Sequence, residues 1–189
     1  MFNQRFVTYI TRVGLTVDEK VKGQKQYSWF ILKPEDQKAA EKVEDQSFYN
    51  PQIREFWAKG IENRIKNLPK YGPALYNLGD ENFFNQANSF SPCDEAEFKN
   101  FLKKRYGGKI ETLNATWGTD FKSFDEVGTN LKEAKEKGMF PAWFDVRLFW
   151  EKQYADIHHF LAEEIKKHDP EALVGAEGSV PGNLEETIR

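Results

Sequence analysis

The sequence predicts an α/β fold: a segment of a (β/α)8 TIM barrel with about three parallel strands and covering helices. Three observations carry this. Short runs rich in β-branched, aromatic or aliphatic residues at 5–13, 74–78 and 173–176 read as buried strands. Stretches of helical apolar spacing separate them, an alternation that argues for a parallel sheet. Three such strands would leave both sheet edges with open backbone groups, and a complete barrel takes roughly 250 residues against the 189 here. Residues 1–189 are therefore expected to form a single partial domain, the central strands of a barrel.

In chain order, the first strand stops at Gly14. Residues 15–32 mix glycine and lysine with Tyr27, Trp29 and Phe30 and read as a long loop whose Tyr27 and Trp29 are available for stacking. Residues 34–46 are nearly all charged or small, and Pro34 suits the first turn of a polar surface helix. Asn50-Pro51 is a helix start, with Asn as cap and Pro at the first helical position. Ile53, Phe56, Trp57, Ile61, Ile65 and Leu68 then share one helical face. Pro69 and Gly72 end the helix and lead into the second strand.

Ser91 and Asp94 are spaced as a capping box. Phe98, Phe101, Leu102 and Tyr106 give the stripe of the helix that follows, and Gly107-Gly108 ends it. Asp145 is expected to cap the longest helix, with Trp150, Tyr154, Ile157, Leu161 and Ile165 on its core face and Asp169-Pro170 as its stop. After the third strand, residues 184–189 look like the start of another helix. No internal repeat is visible.

Composition narrows the function. A net charge of −3 without a basic block argues against a nucleic-acid or anionic-membrane binder. No run approaches the roughly 18 apolar residues of a membrane span. The single cysteine, Cys93, rules out an internal disulfide and makes a cysteine-based zinc site a poor fit. Aromatic residues make up 15% of the chain. They fill cores, and they also form platforms on which sugar rings stack; Trp117 and Trp143, read as loop residues after strand ends, suit either use.

The second strand ends in Gly79, Asp80, Glu81 and Asn82, then Phe83 and Phe84. A buried strand that opens into acids and aromatics is how a barrel presents a catalytic group. Glu81 is the candidate. The bland alternative is a solvated acidic turn. Glu177 also stands at a strand end. His158 and His159 are adjacent on the long helix and read as surface or packing residues, and His168 suits the helix C-terminus.

Several stretches resemble the catalytic barrel of family 42 glycoside hydrolases, the β-galactosidase-like enzymes. They are the Asn50-Pro51 helix, the strand running Leu75, Tyr76, Asn77, Leu78, Gly79, Asp80, Glu81, and the start of the long helix at Phe144, Asp145, Val146, Arg147. The most specific is the run from Phe98 to Gly107 followed by Leu113, Asn114, Ala115, Thr116, Trp117, Gly118 and Thr119. The sequon at Asn114 falls inside that run and is read as structural.

The resemblance implies a retaining hydrolase of a β-linked glycoside with Glu81 as general acid/base. Asp80, Asn82, Trp117, Trp143 and Glu177 would be substrate-binding residues. It implies a carbohydrate partner, and no cofactor is expected. The chain departs from the family pattern at Asp80, where the family has an Asn that binds the sugar 2-hydroxyl. It also lacks the cysteine cluster that holds zinc in many members, so no metal is expected. The family nucleophile lies on the seventh strand, whereas the residues here map only as far as the fifth. That leaves Glu177 as a rival nucleophile and predicts that residues 1–189 alone are inactive. The alternative is a non-catalytic carbohydrate-binding relative that keeps the groove without a usable carboxyl pair.

Overall fold

A computed structural model describes residues 6–11, 14–17, 25–27, 32–80, 82–84, 91–128 and 134–177. Three strands, β1 (Val7–Tyr9), β4 (Leu75–Asp80) and β6 (Val174–Glu177), form one parallel sheet in the order β1-β4-β6. These are the three expected strands, and β1 and β6 are its outer members.

The stretch at 15–32 is not simply a loop. β2 (Gly14–Val17) and β3 (Lys25–Tyr27) pair antiparallel, and β2 also runs parallel to the two-residue β5 (Phe83–Phe84). β2 and β3 are only four and three residues long in a lysine-rich stretch, too short for a period-of-two run to mark them. Trp29 and residues 184–189 lie outside the described residues.

Local signals account for the helices. α1 (Pro34–Ala40) starts at Pro34 and is tied to the next helix by an ion pair from Lys59 to Asp36 at 2.7 Å. α2 (Pro51–Ile65) opens where expected: the Asn50 side chain accepts from the Gln52 N–H at 3.0 Å. α3 (Pro92–Arg105) carries the capping box, with the Ser91 N–H donating to Asp94 at 3.1 Å. The segment after Gly108 is helical too, α4 (Ile110–Trp117), closed by Gly118 at φ 71°.

α5 (Phe140–Lys166) is longer than the sequence suggested, because it starts five residues before Asp145, with Pro141 in its first turn. Asp145 is not its cap. It is buried and accepts from the Arg105 Nε at 2.7 Å, the Trp117 indole N–H at 3.0 Å and the Tyr106 hydroxyl. A cap and a buried acceptor both call for a carboxylate, so sequence alone did not separate them.

Two cores result. In the first, α2 and α5 pack through Ile53, Trp57, Ile61, Ile65, Ile157, Leu161 and Ile165 on the sheet face carrying Ile10, Tyr76 and Leu78. The second lies between α3, α4 and the first half of α5 and holds Phe98, Leu102, Leu113, Trp117, Phe149 and Trp150. No helix among the described residues is long and apolar enough to cross a membrane.

Candidate active site

Side chains alternate along a strand, so Tyr76 and Leu78, turned toward the helices, leave Asn77 on the other face. There Asn77 is partnered in register by Tyr9 on β1 and Gly175 on β6. It is 2% exposed, and both ends of its amide are engaged: Oδ1 accepts from the Gly79 N–H at 2.8 Å, and Nδ2 donates to Glu177 Oε2 at 3.2 Å. The Tyr9 hydroxyl donates to the same Glu177 oxygen at 2.5 Å. That hydrogen bond, with the negative charges of Glu177 and Asp80, raises the pKa of the largely exposed Tyr9 and keeps the hydroxyl protonated as a donor.

Asp80 reaches this group through a register slip. Between the pairs Asn77–Gly175 and Asp80–Glu177, β4 advances three residues while β6 advances two. The additional residue in β4 is a bulge, and Gly79 within it has φ 123°, a backbone region that side chains disfavour. A one-residue slip changes the face a side chain takes. Simple alternation left open whether Asp80 shares the pocket. The slip makes it the partner of Glu177, within electrostatic reach of Tyr9. Both carboxylates are exposed at the C-terminal end of the sheet. Glu81, the candidate acid/base, lies outside the described residues.

The structure disperses the other expected site residues. Asn82 is buried and turned toward α5: its Nδ2 donates to the Leu78 carbonyl at 3.2 Å and meets His158 Nε2 at 2.9 Å. With His158 Nδ1 on the Tyr154 carbonyl at 2.8 Å, Nδ1 carries the proton and Nε2 accepts from Asn82. Burial pushes the His158 pKa down against a smaller opposing effect of that carbonyl, so the ring is held neutral. Asn82 is thus a bracket between the end of β4 and α5.

Trp117 is 5% exposed, and its indole donates to Asp145 and Tyr106, so of its two readings the structure gives packing in the second core. Trp143 is on α5 instead of a loop, half-buried, with Lys135 Nζ 5.6 Å from its ring centroid. The site residues that sequence reasoning missed are Tyr9 and Asn77. Both stood inside predicted strands, and only pairing register shows that they meet Glu177. Among the described residues no group of three or more His, Cys, Asp or Glu side chains could hold a metal ion. Burial and a hydrogen bond to Asp45 push the Cys93 thiol up to about 11, where it is a poor thiolate.

Residues 35–182 match the sequence profile of glycoside hydrolase family 42, described as beta-galactosidase. Comparison with curated proteins gives no match. Among solved structures the chain resembles the apo family 42 exo-carrageenase of Bacteroides ovatus, with a TM-score of 0.61 and 21% identity. The similarity covers 92% of this chain and 28% of the carrageenase, and at that identity it speaks to the fold alone. The profile match spans most of the sequence and includes both strand ends that carry Asp80 and Glu177, and on that basis the chain belongs to glycoside hydrolase family 42.

Proposed function

We propose that this chain supplies the central strands of a (β/α)8 barrel in a retaining glycoside hydrolase of β-galactosidase type, with Glu81 as general acid/base. The observation that carries the reading is the C-terminal end of β4, where Asp80 lies beside Glu177 and Tyr9 in the residue position just before Glu81. Substrate-binding residues of barrel enzymes gather at that end of the strands. Helices α2 and α5 packing on the same sheet face also suits a barrel wall, whose helices lie outside.

In this reading Glu81 protonates the leaving glycosidic oxygen and then takes a proton from the attacking water. A second carboxylate about 5–5.5 Å away forms the glycosyl-enzyme intermediate. By the family pattern it comes from a later strand than β6. Glu177, held by Tyr9 and Asn77, instead accepts a sugar hydroxyl. Asp80 accepts hydrogen bonds and cannot donate one, so it selects a hydroxyl that donates. Trp143 keeps enough exposure to border the substrate.

Replacing Glu81 by Gln in the natural full-length protein should cut turnover of β-galactosides by about 10²-fold or more. Near-normal turnover would overturn the assignment. Residues 1–189 alone are expected to give no turnover in the same assay, since they correspond to 28% of the carrageenase length.

A further inference from the structure

We infer that His158 is a positioning residue for the glycosidic step, acting through Asn82 on the end of β4 that leads to the proposed acid/base. This rests on the reading of Glu81 given above. Asn82 follows Glu81 directly in the chain. It lies between the last register pair of β4, Asp80 with Glu177, and the first of β5, Phe83 with Gly14. It belongs to neither ladder, so side-chain contacts, not strand pairing, tie the chain at this point. Asn82 is fully buried, and its two amide hydrogens take fixed directions: one to the Leu78 carbonyl at 3.2 Å and one to His158 Nε2 at 2.9 Å.

His158 is set to receive that hydrogen. Its Nδ1–H is used on the Tyr154 carbonyl at 2.8 Å, and the two rings lie 4.2 Å apart between centroids, so Nε2 is presented as an acceptor in one place. Packing alone does not call for this arrangement. Ile157 and Leu161 of α5 already join Tyr76 and Leu78 of β4 in the first core. An apolar pair of the same shape in place of a buried hydrogen-bonded one is nearly neutral for stability. What the polar pair adds is direction. It fixes the Asn82 side chain, and strand register fixes Asp80, so the residues on both sides of position 81 are tied to rigid elements. Reacting groups need support of this kind to within about 0.5 Å, and a misplacement of about 1 Å costs on the order of 10²-fold in rate.

The test uses the natural full-length protein and two substrates. Methyl β-galactoside has a leaving oxygen that needs a proton; 2,4-dinitrophenyl β-galactoside has a leaving group that departs as the anion without one. His158→Phe keeps a ring against Tyr154 and removes the acceptor. It should lower kcat/KM on the methyl glycoside about tenfold or more and on the dinitrophenyl glycoside less than about twofold. Unfolding lowers both substrates equally, so the ratio between them is the readout. Asn82→Ala should give the same split, and the double variant should lose no more than either alone. His158→Gln, which restores an acceptor at similar reach, should recover most of the loss. An equal loss on both glycosides, or no loss in either single variant, would overturn the inference and leave the tie purely structural, while the Glu81 reading stands as long as Glu81→Gln separates the two substrates. Absence of turnover by the natural protein, or a Glu81→Gln variant that does not separate them, would overturn that reading and the inference with it.

Discussion

The two cores of this molecule are built from different materials, and the difference shows what each one does. The core under the sheet is mostly aliphatic, with Ile53, Ile61, Ile65, Ile157, Leu161 and Ile165 of the helices meeting Ile10 and Leu78 of the strands. Compact branched side chains fit a pleated surface. The core between α3, α4 and α5 is aromatic: Phe98 meets Phe149 edge-on at 5.2 Å, Trp150 lies 5.7 Å from Phe149, and Tyr49 stacks on it at 5.9 Å. Large rings fill the wider gaps between helices that lack a sheet to rest on. Much of the aromatic content that suggested sugar platforms is spent here. α5 crosses both cores, and Gln153 marks the boundary, fully buried and donating to Asp94 at 2.8 Å. Asp94 also accepts from Ser47 and Ser91, so a polar seam, and not more hydrocarbon, fixes how the upper helices sit above the strands.

Deletions in each core give the strongest test of that division. Phe149→Ala should cost about 3–5 kcal/mol and Leu161→Ala about 2–5 kcal/mol. Because α5 joins the cores, both variants should shift a single urea transition of the full-length protein. Two transitions, each sensitive to only one variant, would show that the cores unfold separately. At the seam, Asp94→Ala leaves buried donors from Gln153, Ser47 and Ser91 without their acceptor, and an unsatisfied buried group costs about 1–3 kcal/mol. A loss near zero would mean that the seam does not hold the cores in register.

The smallest effect is one of pH. His158 is held below its ordinary pKa in the fold by burial, so between pH about 6.5 and that lower value the unfolded chain binds more protons. Its contribution is fully present above pH about 6.5 and is lost as acidity increases toward the folded value. Urea midpoints should therefore fall with decreasing pH through that window, and less steeply in His158→Gln. Identical slopes would remove His158 and its Asn82 bracket from the account.

Much of the architecture was legible because it is written in local signals. The apolar runs around Tyr76 and Val174, the Asn50 cap and the Ser91–Asp94 box each act within a few residues. What escaped depends on partners distant in sequence. Trp117 and Asp145 are 28 positions apart and meet only when α4 packs on α5. Tyr9 and Glu177 are 168 positions apart and meet only through strand register. Asp80 and Glu81 were recognisable as a candidate site from their place after a buried strand. Which face Asp80 takes was not, since the slip between Asn77 and Asp80 breaks the period of two on which such readings rely.

That slip also sets how the site can vary. Because Asp80 faces Glu177 through one uncompensated residue in β4, the pairing is encoded in strand length as much as in residue type. Substitution at position 80 changes the chemistry presented without moving it. A one-residue deletion in β4 would rotate the strand end and send the carboxylate toward the helices. Gly79, at φ 123°, is the position that tolerates the offset, so a glycine with no side chain to contribute governs which side chains meet at the rim.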